Sequence, residues 1–280
     1  MISGIRLLAG DYDGTLVKQG RLDAAVGAML RQVVDGYRMF VVITGRPLES
    51  IRNALAANQL LGDGFPSALV CEERDIYIWD DGDYQPLLEH NQAATAAESA
   101  LLSVTRPLAA TLRDAWLPYA AAKLLRDDAG LKEFEQSQPA VEEQRGYVEL
   151  RFGSVTAARA AQSWLLSHLP DNEPITAVRN NRLVSLRHTA FGKGAVLDVL
   201  RKHLGLRSTE VMAVGDSGND LTMLNGSYGF HAAAVGNADA EVKAAVIAHN
   251  GTLLKGEAYE GIRELLELCG WTPDAVQRIG

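Results

Sequence analysis

Cysteine is scarce in this chain of 280 residues, which contains only Cys71 and Cys269. Two cysteines so far apart form neither a metal-ligand spacing nor a disulfide framework, so we expect a reduced, cytoplasmic protein. The six histidines also show no ligand spacing. Long hydrophobic runs are missing as well: the apolar stretch at the amino end is too short for a secretory signal, and no later stretch is long enough to span a bilayer.

Positive charge is also in short supply. The 27 lysine and arginine residues are outnumbered by 35 aspartate and glutamate residues, which leaves a net charge of −8. This balance argues against a general nucleic-acid binder, and an anionic substrate would need a local source of positive charge such as a metal ion. The apolar fraction of 47% is that of an ordinary globular protein, and the length allows one large domain or two smaller ones.

Four aspartates follow two apolar segments at opposite ends of the chain. They are Asp11 and Asp13 after residues 5–10, and Asp216 and Asp220 after residues 211–214. Each segment is typical of a buried parallel strand, and open α/β sheets bind ligands at the carboxyl edge of such strands. Carboxylates gathered at one edge repel one another unless a cation joins them. We therefore expect a Mg²⁺ site, because Mg²⁺ is a hard ion that prefers oxygen ligands.

Strands and helices alternate at both ends of the sequence, which favours right-handed crossovers and a parallel sheet. The predicted strands of the first segment are 5–10, 39–43 and 68–71. The order of strands and helices changes after a predicted hairpin at 76–88, and the regular alternation returns in about the last ninety residues. The sequence thus predicts a doubly wound α/β core from residues 1–81 and 188–280, with an inserted α+β domain at 82–187.

Four short motifs stand in a fixed order along the predicted core. They are Asp11-Tyr12-Asp13-Gly14-Thr15, Thr44 with Gly45-Arg46 behind it, Lys193 between two glycines, and Gly215-Asp216-Ser217-Gly218-Asn219-Asp220. This order resembles the haloacid dehalogenase superfamily, whose members are mostly phosphatases and phosphotransferases that work through an aspartyl-phosphate. The first and fourth motifs, each placed after a buried strand, make the resemblance specific.

The resemblance implies a Rossmann-like core with a large α/β cap inserted between the second and third motifs, the interval that contains residues 82–187. The fourth motif, with Gly236-Asn237-Ala238 downstream, looks most like the branch that contains the sucrose-phosphate phosphatases. The implied activity is Mg²⁺-dependent hydrolysis of phosphomonoesters of small sugars or glycosyl compounds, with substrate specificity supplied by the cap. The expected partner is a small phosphorylated substrate rather than a nucleic acid or a membrane.

The resemblance also implies roles for the motif residues. Asp11 is the expected nucleophile, because a carboxylate can attack phosphorus and split hydrolysis into two easier steps. Asp13 is the expected general acid and base, and Lys193 would offset the negative charge on Asp11 and the phosphoryl group. The remaining implied contacts are phosphate binding by Thr44, Gly45 and Asn219, and Mg²⁺ binding by Asp11, Asp13, Asp216 and Asp220, with Asp13 acting through its backbone carbonyl.

Other functions share parts of this pattern. A phosphomutase or phosphotransferase would use the same aspartyl-phosphate and pass the group to a second hydroxyl. A regulatory module that keeps the fold without turnover should have lost at least one essential group, whereas all of them are present here. A dehalogenase would need neither the second aspartate of the first motif nor an acidic fourth motif.

One departure from the family pattern follows the third predicted strand. Many capped relatives have an Asn-Gly pair there, whereas here Cys71 is followed by Glu72-Glu73-Arg74-Asp75. An acidic pair at this place would repel phosphate unless it is turned away or paired with Arg46 or Arg74. The departure puts in doubt any substrate inferred from the commonest capped phosphatases, and it leaves the four motifs unaffected.

Overall fold

The secondary structure follows the order expected for an α/β protein with an insertion. The computed structural model describes residues 2–35, 37–127, 139–143 and 146–271. The strands of this part of the chain are β1 (Leu7–Asp11), β2 (Met39–Ile43), β3 (Ala68–Cys71), β4 (Asp75–Asp80), β5 (Asp83–Pro86), β6 (Ala140–Glu143), β7 (Val148–Arg151), β8 (Ile175–Asn180), β9 (Leu183–His188), β10 (Val211–Gly215), β11 (His231–Ala234) and β12 (Thr252–Leu253). The helices are α1 (Ala24–Val33), α2 (Leu48–Ala57), α3 (Leu88–Ala100), α4 (Leu102–Asp127), α5 (Val155–Leu166), α6 (Lys193–His203), α7 (Leu221–Leu224), α8 (Ala240–Ala248) and α9 (Tyr259–Leu268). None of these helices combines the length and the apolar character that crossing a membrane requires.

The chain divides into two compact units. The first combines Met1–Asn91 with Gly192–Gly280, and the second is Gln92–Phe191. The sequence predicts an insertion at 82–187, so the predicted and the observed divisions differ at both ends. The early difference arises because β5 pairs with β4 in an antiparallel hairpin and thereby belongs to the sheet of the first unit. At the other end, β9 continues to His188 within the sheet of the second unit.

The first unit is built on a mixed sheet with the strand order β12-β11-β10-β1-β2-β3-β4-β5. Strand β1 pairs in parallel with β2 on one side and with β10 on the other. Strands β4 and β5 are antiparallel additions at one edge. From β3 to β12 the order is that of a doubly wound sheet, in which the order reverses between β1 and β10. The predicted α/β fold is therefore confirmed.

Apolar sequence explains why the central strands lie inside the first unit. Every residue of β1 and β10 is buried, as is all of β2 except Met39. Parallel strands that helices cover on both faces need apolar side chains on both faces, so they lack a polar alternation. Helix α1 begins after Asp23, whose carboxylate accepts hydrogen bonds from the backbone N–H groups of Ala25 and Val26.

The second unit contains an antiparallel sheet with the order β6-β7-β9-β8. Its apolar residues alternate along the strands, and Val148, Leu150, Val184 and Leu186 belong to one buried cluster with Trp116 of α4. Residues of α5 complete this cluster. One face of the sheet is therefore packed against helices, as is usual for an antiparallel sheet with an apolar and a polar face.

Candidate active site

Asp11 lies at the carboxyl end of β1, where the strand order reverses. Its neighbour in register on β2 is Ile43, so Thr44 follows at the same edge. On the other side, β10 ends at Gly215, directly before Asp216. The first, second and fourth motifs therefore meet at one edge of the sheet, which is where doubly wound sheets form their ligand crevice.

Lys193 begins α6, and its side chain is fully buried. Its Nζ lies 2.7 Å from Oδ1 of Asp11 and 2.7 Å from Oδ1 of Asp220. Helix α6 can start this close to α7 because Gly194 has no side chain, and a Cβ there would clash with the carbonyl oxygen of Thr222. The third motif is thereby joined to the first and the fourth.

Asp220 organises the loop that follows β10. Its Oδ2 accepts hydrogen bonds from the backbone N–H of Asp216 at 2.8 Å and of Ser217 at 2.9 Å. Gly215 leaves room for this carboxylate, because a Cβ at that position would clash with it. From the first motif, Thr15 Oγ1 donates a hydrogen bond to Oδ1 of Asp216 at 2.8 Å. The loops of the first and fourth motifs thus orient each other's side chains.

The concentration of buried charge shifts the pKa values of the cluster. Burial raises the pKa of Asp11 well above its usual range, although the positive charge of Lys193 opposes this. Burial and then the negative charge of Asp220 raise the pKa of Asp216 to about 7. Burial disfavours the charged form of Lys193, but Asp11 and Asp220 outweigh it and raise the pKa of the ammonium group. The three carboxylates outnumber this ammonium, so the cluster is short of positive charge.

A divalent cation fits this imbalance. One carboxylate oxygen from each of Asp11, Asp216 and Asp220 lies within 4.8 Å of the others. An all-oxygen set of this kind suits Mg²⁺, which commonly binds one or two carboxylates and keeps several waters. Within the described residues, the Asp13 carboxylate is outside this group and binds Arg46 instead. Any part that Asp13 plays in metal binding would have to come from its backbone.

Asp13 lies in the exposed turn that follows β1. Both of its carboxylate oxygens are bound by Arg46, with Nε 2.7 Å from Oδ2 and Nη2 2.7 Å from Oδ1. The same guanidinium lies over the ring of Tyr12, 5.4 Å from its centroid. The turn requires Gly14, which has a φ of +85° and where a Cβ would lie only 2.5 Å from Oδ2 of Asp216.

Thr44 and Gly45 stand at the end of β2, beside β1. Thr44 is buried, and its Oγ1 accepts a hydrogen bond from the backbone N–H of Arg46 at 3.1 Å. The backbone N–H of Thr44 donates to the carbonyl oxygen of Val70 at 2.9 Å. Gly45 is exposed. Both residues therefore lie at the edge where the sequence predicts phosphate contacts, and those contacts stay a prediction.

Asn219 is buried, and both ends of its amide are bound. Its Nδ2 donates to Oε1 of Glu73 at 2.6 Å, and its Oδ1 accepts from the hydroxyl of Ser217 at 2.5 Å. The acidic pair after β3 separates, because Glu72 faces Arg74, with Oε2 3.5 Å from Nη2. Glu72 is thus paired with Arg74, one of the two partners that the sequence suggests, while Glu73 contacts Asn219 of the fourth motif.

The sequence does not predict the contacts that Thr15, Arg46 and Glu73 make in the site. Thr15 and Arg46 adjoin the first and second motifs, so their position next to predicted functional residues was a usable signal. Glu73 gave no such signal, because an acidic residue beside a phosphate site is unfavourable until its partner is known.

Comparison of the sequence with protein families found one matching model. The model of the haloacid dehalogenase-like hydrolases matches residues 154–253, a region that contains Lys193, Asp216 and Asp220. The first two motifs lie outside the matched region. A search of curated proteins found no matching sequence.

Solved structures with the same fold include two phosphatases. The sucrose-phosphatase from Synechocystis sp. PCC6803, solved with sucrose and phosphate, has a TM-score of 0.63 and 16% identity over 93% of this chain and 96% of its own. A phosphatase of the haloalkanoate enzyme superfamily from Bacteroides thetaiotaomicron has a TM-score of 0.60 and 17% identity over 95% of this chain and 96% of its own. The resemblance predicted from the four motifs is confirmed.

Proposed function

We propose that this chain, which matches the model of the haloacid dehalogenase-like hydrolases over residues 154–253, is a Mg²⁺-dependent phosphatase acting on small sugar or glycosyl phosphates. Each turnover would pass through an aspartyl-phosphate on Asp11. The observation that carries the proposal is the contact between Asp11 and Lys193, at 2.7 Å, beside the carboxylates of Asp216 and Asp220. A carboxylate held by a buried cation at the switch point of the sheet is well suited to attack a phosphoryl group.

In the first proposed step, an oxygen of Asp11 attacks phosphorus. The ammonium of Lys193 holds Oδ1, which fixes the carboxylate and leaves Oδ2 to form the new O–P bond. As this bond forms, the bond to the leaving oxygen breaks, and that oxygen keeps the electron pair. Lys193 also offsets negative charge that spreads over the phosphoryl oxygens in the transition state.

Asp13 is the proposed acid and base. It would give a proton to the leaving alkoxide and then take a proton from the water that attacks the aspartyl-phosphate. Attack by this water breaks the bond between phosphorus and Asp11, which releases inorganic phosphate and restores the carboxylate. Arg46 binds both oxygens of Asp13 and so determines the direction in which the carboxyl group faces.

The carboxylates of Asp11, Asp216 and Asp220 are the proposed holders of Mg²⁺, together with the backbone carbonyl of Asp13. When bound, the ion would supply positive charge to the phosphoryl oxygens. The proposed phosphate contacts come from the end of β2 and from the fourth motif: they are the hydroxyl of Thr44, the backbone amide of Gly45 and the side chain of Asn219.

The proposed substrate class depends on likeness of fold. The Synechocystis sucrose-phosphatase was solved with sucrose and phosphate, and it shares the fold over 93% of this chain. The second unit, Gln92–Phe191, lies in sequence between the second and third motifs. We propose that this unit determines which phosphorylated compound is accepted.

The direct test is a phosphate-release assay over a panel of phosphorylated sugars that includes sucrose phosphate and glycosylglycerate phosphates. We expect release with Mg²⁺ and none after chelation, and the substrate is identified by comparing kcat/KM rather than activity on one compound. Asp11→Asn should lose at least about a thousandfold in turnover while keeping its fold. Asp83→Asn is the control, because Asp83 is an exposed carboxylate that pairs with Arg52 outside the motifs.

Two results would contradict the proposal: substantial hydrolysis by Asp11→Asn, or no wild-type hydrolysis of even a generic aryl phosphate with Mg²⁺ supplied. Formation of a sugar-phosphate isomer in place of free phosphate would instead indicate a phosphomutase or phosphotransferase that uses the same Asp11 chemistry. Both products can be followed in one reaction, so the assay separates the two functions.

A further inference from the structure

Glu73 forms hydrogen bonds with three different motif segments. Its backbone N–H donates to the carbonyl oxygen of Thr44 at 3.0 Å, and its own carbonyl oxygen accepts from the N–H of Gly192 at 3.2 Å. Its side-chain Oε1 accepts from Nδ2 of Asn219 at 2.6 Å. One residue of the loop after β3 therefore holds the second motif, the residue before Lys193, and the fourth motif.

The backbone of this loop is in an uncommon conformation. Glu72 and Glu73 both have positive φ, +52° and +54°, a region that favours glycine and, among other residues, asparagine and aspartate. Both residues are 5% exposed, yet their side chains face different partners, since Glu72 pairs with Arg74 and Glu73 with Asn219. Two strained residues that bury two carboxylates next to the catalytic motifs point to a functional constraint.

The contacts of Asn219 define one orientation of its amide. An ionised carboxylate can only accept hydrogen bonds, so the nitrogen must face Glu73, and the hydroxyl of Ser217 donates to Oδ1. The amide nitrogen carries two hydrogens, of which Glu73 takes one. A hydrogen bond to a charged acceptor is about twice as strong as one between neutral groups. Glu73 therefore prevents the amide from flipping and leaves one N–H of Asn219 for a further acceptor.

We propose that Glu73 is a positioning residue that acts through Asn219, holding the amide so that its second N–H binds the phosphoryl group of the substrate. This inference rests on the proposed phosphatase function. The alternative is an electrostatic role for Glu73. Burial lowers the pKa of Lys193, whereas Asp11, Asp220 and then Glu73 raise it. The two roles differ in whether the reach of the side chain or its charge matters.

Two substitutions of Glu73 separate reach from charge. Glu73→Gln keeps the length of the side chain and an oxygen that can accept from Asn219, and it removes the charge. Glu73→Asp keeps the charge near Lys193 but is one methylene shorter, and aspartate tolerates a positive φ. If Glu73 positions Asn219, Glu73→Gln should keep kcat/KM within about threefold and Glu73→Asp should lose about 10- to 100-fold. The reverse order would overturn the proposal in favour of the charge.

A double-mutant cycle tests whether the effect passes through Asn219. In an Asn219→Ala background, Glu73→Asp should change kcat/KM by less than about twofold, because the contact that it disturbs is already gone. Effects that multiply would mean that Glu73 acts independently of Asn219, which contradicts the proposal. Thermal unfolding of each variant shows whether it is folded, and a loss of activity with a parallel loss of folded protein counts against positioning.

Glu72→Gln is the matched control, because Glu72 has the same exposure and backbone conformation but faces Arg74. It should keep wild-type kcat/KM. Binding of inorganic phosphate, measured by calorimetry in the presence of Mg²⁺, gives a second readout: Glu73→Asp should weaken it and Glu73→Gln should not. An inactive wild type would contradict the proposed function, whereas an active wild type with unaffected Glu73→Asp would contradict this inference alone.

Discussion

The guanidinium of Arg46 binds both carboxylate oxygens of Asp13, at 2.7 Å each. Two parallel hydrogen bonds fix the plane of a carboxylate as well as its distance, so Arg46 sets the orientation of the proposed acid and base. Both side chains are well exposed, at 35% and 50%, and an exposed ion pair adds little to stability. The ion pair is therefore better explained as a means of orienting Asp13 than as a contribution to the stability of the fold.

Arg46→Ala should lower activity in a way that depends on the leaving group. An alkyl phosphate needs a proton from Asp13, whereas an aryl phosphate with an acidic phenol can leave without one. We expect kcat/KM, which reports the step that forms the aspartyl-phosphate, to fall about tenfold on a sugar phosphate and about twofold or less on an aryl phosphate. Asp13→Asn should show the same selectivity with a larger loss, about a hundredfold on the sugar phosphate.

Arg52→Ala is the control for this prediction, because Arg52 forms a similar pair with Asp83, at 2.8 Å, outside the four motifs. It should leave both substrates unaffected. Equal losses on the alkyl and the aryl phosphate in Arg46→Ala would mean that Arg46 contacts the phosphoryl group itself rather than orienting Asp13.

The strand ends were the part of the site that sequence predicted best. Asp11 directly follows one apolar segment, and only Gly215 separates Asp216 from the other. The carboxyl ends of neighbouring parallel strands must be close in space. Lys193 was predicted only through the family resemblance, because a single lysine at a helix start is usually solvated. Its complete burial between Asp11 and Asp220 is a tertiary effect that no local pattern contains.

The surroundings of the motifs could not be predicted in the same way. Glu73 looks unfavourable in the sequence because its partner, Asn219, is 146 residues away. The start of the second unit could not be predicted either, because a hairpin has the same alternation of apolar and polar residues whether it opens a new domain or extends an existing sheet. Only the pairing of β5 with β4 assigns residues 83–86 to the first unit.

Asp216 and Asp220 should respond differently to replacement by alanine. Asp216→Ala removes a proposed metal ligand, so we expect the Mg²⁺ concentration for half-maximal activity to rise about tenfold or more. Asp220→Ala removes a carboxylate that binds Lys193 and two backbone N–H groups, and loss of one partner of a buried ion pair costs about 3–5 kcal/mol. We therefore expect Asp220→Ala to lower the melting temperature of the metal-free protein, and Asp216→Ala to leave it close to that of the wild type or above it.

Magnesium titration of activity and thermal unfolding in chelator measure these two effects separately. An unchanged titration for Asp216→Ala would remove Asp216 from the proposed ligand set. A wild-type melting temperature for Asp220→Ala would show that the loop after β10 does not depend on its carboxylate.

The metal-free protein should become more stable as the pH falls from about 8 to about 6. Burial and the charge of Asp220 raise the pKa of Asp216 to about 7, whereas an unfolded aspartate has a pKa of about 3.9. The folded state therefore binds more protons in this range. The stability that protonated Asp216 contributes is complete below about pH 4 and is lost as the pH rises through its folded pKa, with a change of about 1 kcal/mol between pH 8 and pH 6.

Chemical denaturation in chelator at several pH values measures this dependence. The pKa of Asp11, raised by burial, adds to it in the same direction. Asp216→Asn cannot titrate at this position, so its free energy of unfolding should vary less over the same range. Parallel profiles for the wild type and Asp216→Asn would show that the pH dependence arises elsewhere.

Glu98→Ala should destabilise the second unit. Nε of Arg187 lies 2.6 Å from Oε1 of Glu98, the two side chains are 6% and 1% exposed, and the guanidinium lies 4.0 Å from the ring centroid of Tyr147. Removal of Glu98 leaves a buried guanidinium that has lost a counter-ion, which costs about 3–5 kcal/mol. Hydrogen exchange should therefore become faster in β7 and β9, while peptides that contain Asp11 should keep their protection.

Asp83→Ala is the comparison for Glu98→Ala, because it removes an acidic partner from an exposed pair and should leave the protection of the second unit unchanged. Arg187→Met, added to Glu98→Ala, removes the charge that Glu98→Ala leaves without this partner, so the double variant should recover part of the lost stability. If the double variant is instead less stable than Glu98→Ala, the packing of the Arg187 side chain against Tyr147 matters more than its charge. The order of stability of the two variants therefore decides whether the unit depends on charge balance or on packing at this position.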